Sequence, residues 1–439
     1  RRLESVYRYH FVHWLFEMFW VNRLFLASRA GQFHNKSAYY AHCFSTYLCR
    51  RSMAPPKTKW MRMKTPFYFE TIYESKKSRA RVGRIHTPHG VIDTPNFVAV
   101  GTNATIKALD TKTVDDLGVQ LMFCNTYHLM LQPGSPIIAQ AGGLHRFMNR
   151  SMPLITDSGG FQVFSLMYGT VKDELKSKGT KKGDSSVLKI DEEGVLFRSY
   201  RDGSKILLTP ETSVQAQKEL GADIIIPFDE LPPYHIDQKQ LEASLDRTHR
   251  WEKRSLDEHL KNPQQQAMYA VIHGGIDPQL RKKSADYLTS LPFDGYAIGG
   301  SLGKNQEQMT AMLTNLMPQI PHDKPNHLLG IGDISSIDAC VRLGVDTFDS
   351  SHPTRSARHG TAFTGRGLVK LQSSTNKIAL TPIENGCTCY TCTHYTRAYL
   401  HHLFKAKEMA GLILASIHNL HFMIQLMAGY RQKILNDQI

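Results

Sequence analysis

Eight short apolar runs, each followed by a helix-compatible stretch, constrain this chain more than any other feature. They lie at residues 96–100, 121–124, 154–156, 222–228, 268–272, 296–298, 327–331 and 345–348. Near-continuous apolar strands alternating with helices predict a parallel sheet covered by helices, and eight repeats predict closure into a (β/α)8, or TIM, barrel. The helix before the fourth run is well signalled, with Thr209 placed as its cap, Pro210 at its first position and Gly221 as its stop. Residues 67–100 read as short β-like pieces turned at Pro88-His89-Gly90 and Thr94-Pro95, an antiparallel cap leading into the first barrel strand. The rhythm breaks between Tyr168 and Leu208. There a Lys/Gly/Ser-rich loop at 176–186 precedes pieces turned at Glu193-Gly194 and Asp202-Gly203, and an inserted β-hairpin subdomain is expected. The expected division is a barrel over 63–380 with an insertion near 168–208, and a small lobe over 381–439.

Residues 1–62 stand apart. They carry eleven Lys/Arg against Glu4 and Glu17, a net +9, which leaves +5 of the chain's +14 for the remaining 377 residues. Any nucleic-acid surface on the barrel is therefore expected to be a local patch. The apolar run at 11–27 is interrupted by His13, Glu17, Asn22 and Arg23, too short and polar to span a membrane. With Met53, Met61 and Met63 available as initiators, the segment is expected to be a misplaced start or a disordered extension; an organelle transit peptide is the alternative.

The strand ends carry the chemistry. The third run is followed by Asp157-Ser158-Gly159-Gly160-Phe161-Gln162, the fourth by Asp229-Glu230-Leu231, the fifth by His273-Gly274-Gly275. Gly299-Gly300-Ser301-Leu302-Gly303 follows the sixth, Gly330-Ile331-Gly332-Asp333 the seventh and Asp349 the eighth. In such barrels the carboxyl ends of the strands form one mouth, so these groups are expected to line it. Glycines admit a flat ligand to the backbone, and aspartates read the donor edge of a purine. After Asp349, Arg355 and Arg358 suit phosphate oxygens, although a helix cap with a structural arginine is the plainer reading of that stretch alone.

Cys387, Cys389 and Cys392, with His418 after 25 intervening residues, match a closed tetrahedral zinc site of three thiolates and one imidazole. A helix over 397–415 is expected to return His418 to the cysteines, and a zinc with four protein ligands is structural. Free thiols or one disulfide are the alternative; the odd count of seven cysteines with one cluster favours metal in a reducing compartment.

Together, Thr156-Asp157-Ser158-Gly159-Gly160-Phe161-Gln162, Phe348-Asp349 with Pro353-Thr354-Arg355, Cys-x-Cys-x2-Cys-x25-His and Arg397-Ala398-Tyr399-Leu400-His401-His402-Leu403 resemble the tRNA-guanine transglycosylases, or queuine tRNA-ribosyltransferases. The resemblance runs from about Phe67 to the C-terminus, and the wording of the chain looks closest to the chlamydial branch. It implies a cytoplasmic, homodimeric enzyme with one structural zinc. Such enzymes replace guanine at the anticodon wobble position of tRNAs for Asp, Asn, His and Tyr with a 7-deazaguanine base, through a covalent enzyme–tRNA intermediate. By motif, Asp349 is then the nucleophile and Asp157 the general acid/base. Asp157, Ser158, Gly159, Gly160, Asp229, His273, Gly300 and Gly303 fall where the family holds the base, and Phe161 where a ring stacks on it. Gly330, Ile331, Gly332, Asp333, Ile334, Ser335 and Ser336, with Thr354, Arg355, Ser356, Ala357 and Arg358, match the anticodon-loop contacts. His273 departs from the Gln of many bacterial members. Leu231 and Gly303 replace a small thiol and a branched residue; family members that take queuine carry glycine at the latter position. The resemblance thus implies queuine itself, salvaged from outside, rather than its precursor 7-aminomethyl-7-deazaguanine. A catalytically silent tRNA-binding subunit is the rival reading, which the presence of both aspartates opposes. A zinc-dependent barrel hydrolase would need an open metal site in the mouth.

Overall fold

The computed structural model describes residues 67–169, 171–178, 180 and 186–439; the basic segment 1–62 lies outside them. Strands β1 (Tyr68–Glu74), β2 (Arg81–Thr87) and β3 (Gly90–Thr94) form the expected antiparallel cap. The barrel begins with β4 (Asn96–Val100), β5 (Met122–Cys124) and β6 (Leu154–Thr156). The insertion then contributes β7 (Val187–Ile190), β8 (Val195–Arg198) and β9 (Lys205–Leu208). The barrel resumes with β10 (Ile224–Ile225), β11 (Ala267–Ile272), β12 (Gly295–Ile298), β13 (Asn326–Leu328) and β14 (Thr347–Ser350), and β14 pairs in parallel with β4 to close it.

Each of the eight apolar runs contains or overlaps one of these strands; β13 stops at Leu328, β14 is shifted two residues on, and the fourth run is shortened most. Run 222–228 gives the ladder only Ile224 and Ile225, because neighbouring side chains take the backbone groups that follow. Gln217 Nε2 donates to the Ile226 carbonyl at 2.8 Å while its Oε1 accepts from the Ile226 amide at 3.0 Å, and the Phe228 amide donates to Ser255 Oγ. A buried backbone group needs one partner, and it need not be a strand. The helix Pro210–Leu220 is capped by Thr209 and ended by Gly221 as expected.

Strand parity sets the two cores. Phe97, Met122, Leu154, Met268 and Phe348 face the helical shell, whereas Val98, Phe123, Ile155, Tyr269 and Val271 fill the interior. Ile85 and Ile92 of the cap join the interior set and plug the end where the strands start. Polar contacts seal that end: Arg81 Nε donates to Asp346 at 2.9 Å and His89 Nδ1 lies 2.7 Å from Asp223, each aspartate standing just before a barrel strand. The opposite, carboxyl ends are thus left as the mouth.

The insertion is a three-stranded antiparallel sheet preceded by the helix Val171–Ser177, one strand more than a hairpin. Two turn signals between three pieces demand three strands. Phe197 and Leu208 pack it against Tyr127, Phe164 and Trp251.

In the C-terminal lobe, β15 (Thr361–Thr364) and β16 (Gly367–Lys370) precede the helices Tyr390–His394, Arg397–Ala406 and Met409–Leu435. The single helix expected over 397–415 is broken at Lys407, which takes the left-handed conformation at φ 61° and closes the first helix on the Leu403 and Phe404 carbonyls. His418 lies inside the second. That helix is long and apolar enough to cross a membrane, yet half of its most apolar stretch is buried, with Leu420, Met423, Met427 and Tyr430 packed into the barrel's helical shell.

Candidate active site

Asp157 follows the last residue of β6 and is 9% exposed. Its Oδ2 accepts from Asn125 Nδ2 and its Oδ1 from the Thr126 amide, both at 2.7 Å. Asn125 occupies the cap position of the helix Thr126–Leu131 but makes no side-chain bond to it, its amide being committed to Asp157 instead. Burial pushes the Asp157 carboxyl up to about 6. The bonds from Asn125, Thr126 and Gln162 oppose that rise, and the charge of Asp229 adds to it.

Asp229 ends the stretch that leaves β10. Its Oδ1 accepts from Ser158 Oγ at 3.0 Å, and its Oδ2 lies 2.9 Å from His273 Nε2. His273 follows β11 and is 2% exposed; its other ring nitrogen, Nδ1, has no hydrogen-bond partner among the described residues. A Cβ on Gly300 would sit 2.7 Å from that nitrogen, and one on Gly160 would sit 2.5 Å from Asp229 Oδ1. The two glycines are thus what lets the acidic and imidazole groups stand this close to the backbone.

Asp349 lies within β14 rather than after it. Since Phe348 faces the helices, Asp349 faces the barrel axis. Its Oδ1 accepts from the Gly330 amide at 2.8 Å and faces His327 Nε2 at 3.1 Å; Oδ2 has no partner among the described residues. Neither Arg355 nor Arg358 pairs with it. Both lie on the helix His352–Arg358, and neither guanidinium has an ionic partner among the described residues. Burial, together with the charge of Arg355, pulls the Arg358 guanidinium below its usual value.

The remaining expected contact residues divide by exposure. Phe161 is 48% exposed at the start of the helix Gly160–Tyr168. Gly330, Asp333, Ser335 and Arg355 are exposed, and Ile331, Ile334, Ser356 and Arg358 half-buried. Gly332, Ser336, Thr354 and Ala357 are buried, and Ala357 is packed inside the C-terminal lobe, so its side chain is a packing element and not a contact surface. Asp333 caps the helix Ile334–Arg342 through the Ser336 amide. At Gly303 a Cβ would meet Gln308 Cβ at 2.8 Å and Ile276 at 3.3 Å, and the backbone stands at φ +105°, so glycine there also meets a backbone demand.

In the lobe, His418 Nδ1 faces three sulfurs: Cys387 Sγ at 3.8 Å, Cys389 Sγ at 3.5 Å and Cys392 Sγ at 3.3 Å. The N···S edge of a tetrahedron with Zn–S near 2.3 Å and Zn–N near 2.0–2.1 Å is about 3.5 Å, so the four groups fit one metal ion. His418 Nε2 donates to the Phe363 carbonyl at 2.7 Å, which fixes the ring with Nδ1 toward the sulfurs. A second cluster of His89, His145 and Asp223 lies at the plugged end. Its imidazoles are stacked at 3.5 Å and 16°, so their ring planes do not meet within metal–nitrogen bonding distance of both.

Sequence reasoning missed Asn125, His327 and Thr347. Asn125 directly follows β5 and obeys the same strand-end rule as Asp157. His327 sits within β13, where only strand register reveals that it faces Asp349.

The family model described as queuine tRNA-ribosyltransferase matches residues 75–439. A queuine tRNA-ribosyltransferase of Protochlamydia amoebophila is 66% identical over 375 residues, covering 85% of this chain and 97% of that protein. Those of Chlamydia caviae and Chlamydia trachomatis serovar L2 are 55% and 54% identical over 372 residues, each covering 84% of this chain and 99% of the relative. A match spanning β2 and β3 of the cap, the whole barrel and the Cys/His lobe shows that the chain belongs to the queuine tRNA-ribosyltransferase family, with chlamydial members among its high-identity relatives.

Proposed function

We propose that this chain exchanges guanine at the wobble position of tRNAs for Asp, Asn, His and Tyr for a 7-deazaguanine base by double displacement, with Asp349 as nucleophile and Asp157 as general acid/base. The observation that carries this reading is the contrast between two carboxylates at one mouth. Asp157 is buried and raised to about 6, as a group that gives and takes a proton near neutrality must be, whereas Asp349 keeps one oxygen bare. One covalent and one proton-moving carboxylate is the logic of a retaining glycosidase with a base in place of water. Asp229, Ser158 and His273 supply acceptors and donors for a planar base, Gly159, Gly160 and Gly300 admit it, and the exposed ring of Phe161 is free to stack on it. The unpartnered Nδ1 of His273 supports a base contact there.

Anticodon binding is supported by Arg355 and Arg358, whose forks have no acidic partner among the described residues, next to the exposed residues of 330–336. The metal is zinc in this reading, held by Cys387, Cys389, Cys392 and His418; bound there it supplies rigidity and no chemistry, since all four positions are filled by protein. A homodimer is supported by a ring ladder along the lobe, exposed at Tyr390, Tyr399 and His402 and half-buried at Tyr395 between them. The reading is completed by a cytoplasmic location and by salvage of the incoming base.

The test is incubation of the full chain with an anticodon stem-loop RNA and labelled guanine. Label is expected in the RNA with the parent and not with Asp349→Asn. RNA binding without incorporation by the parent would make the chain the silent subunit instead.

A further inference from the structure

We infer that His327 is a positioning residue that makes Asp349 a competent leaving group in the second displacement, a proposal that rests on the nucleophile reading above. His327 is 1% exposed within β13, in register opposite Thr347, and its two ring nitrogens have one partner each. Nε2 faces Asp349 Oδ1 at 3.1 Å; Nδ1 faces Thr347 Oγ1 at 2.9 Å. Thr347 Oγ1 also lies 3.0 Å from the Asn326 carbonyl. A carboxylate oxygen only accepts, so Nε2 must carry a proton. Two arrangements satisfy this. Thr347 turns its hydroxyl onto Nδ1 of a neutral ring, or it donates to Asn326 and receives Nδ1–H from an imidazolium. In both, His327 and the Gly330 amide hold Oδ1 together and leave Oδ2 as the oxygen that reacts.

In the first displacement an Oδ2 lone pair forms the bond to ribose C1′, the C1′–N9 bond breaks, and its electron pair leaves with guanine, which takes the proton of Asp157. The Asp349 group is now an ester, and Oδ1 has lost its charge. In the second, ionised Asp157 takes the N9 proton of the incoming base and N9 bonds to C1′. The C1′–Oδ2 bond breaks, and its pair returns to the carboxylate. Only there does negative charge grow on Oδ1, against two donors already in place. A donor whose bond strengthens as charge develops lowers that barrier. Loss of the His327 donor therefore favours the adduct: it hinders release and does not hinder attack.

The experiment follows the adduct of the full chain on an anticodon stem-loop by denaturing electrophoresis, and times its discharge by added guanine. His327→Phe is expected to discharge about tenfold or more slowly and to hold more adduct at steady state, the order expected for one hydrogen bond to a charged group. His327→Gln, whose amide reaches the Nε2 position, is expected to restore discharge. Thr347→Val keeps the ring and removes only the group behind it, so it should slow discharge several-fold even if His327→Phe does not fold. Discharge at the parental rate in both His327→Phe and Thr347→Val overturns the proposal, as does equal slowing of formation and discharge that Gln does not relieve. Absence of any adduct in the parent overturns the nucleophile reading itself, and this proposal with it.

Discussion

Asn419 Nδ2 donates to the Pro353 carbonyl at 2.9 Å, from the residue that follows His418 of the Cys/His cluster to the first turn of the helix after Asp349. The same side chain donates to the Thr361 carbonyl at 3.0 Å and accepts from the Phe363 amide at 2.9 Å, while His418 Nε2 holds the Phe363 carbonyl. The metal lobe is thereby stitched to the segment that carries Arg355 and Arg358. Ala357, buried among Cys389, Cys392 and Leu400, completes that attachment.

Asn419→Ala is therefore expected to keep its metal but lose stability, by roughly 1–3 kcal/mol, because it strands buried backbone groups. Cys389→Ser should lose both metal and thermal stability, since ligand binding contributes to folding. Atomic absorption and thermal melts on the two variants separate the cases. An Asn419→Ala chain with the parental midpoint would show that the stitching is incidental.

Asp349→Asn keeps the size of the side chain and removes the charge that attacks. The Asn amide can accept from Gly330 with its oxygen, so the loop should hold. RNA binding should survive, while the adduct vanishes and exchange falls by roughly 10³-fold or more. Exchange near the parental rate would move the covalent role to another residue.

Much of the fold was legible because barrel strands are apolar runs and barrel chemistry sits where those runs end. Asp157, Asp229 and His273 were found by that rule, and the Cys/His spacing was read directly. What escaped depended on relations between segments. The pairing of His327 with Thr347 comes from a β13–β14 register that neither run encodes alone. Asn125 resembles an ordinary helix cap, and only the fold shows its amide spent on Asp157. The shortening of β10 is caused by Gln217, seven residues upstream on a helix. At Gly303 the sequence shows only an absent side chain, and the φ of +105° and the nearness of Gln308 that also bear on it come from the fold.

Gly303→Val should accordingly act through the backbone. A β-branched residue at φ +105° with Cβ 2.8 Å from Gln308 costs on the order of 1–3 kcal/mol. The melt should fall, and specificity constants for queuine and for its aminomethyl precursor should fall together. Selective loss of queuine with an unchanged melt would restore the reading in which residue 303 borders the base.

The Asp157 carboxyl, raised to about 6 by burial, should impose opposite limbs on the two half-reactions. Adduct formation needs its proton, so the kcat/KM for RNA should decline as pH rises through about 6; discharge by an incoming base needs the ionised form, so that limb should climb through the same region. Stability moves with the first limb. The folded carboxyl keeps its proton to higher pH than the ordinary value near 3.8, so the folded state is favoured at low pH and that margin is lost as pH rises through about 6. At neutral pH the loss amounts to at most roughly 3 kcal/mol. Asp157→Asn cannot ionise and should fail to exchange. Half-reactions followed separately by single turnover across about pH 5 to 8 give the decisive comparison: parallel limbs would mean that Asp157 is not the group that moves the proton.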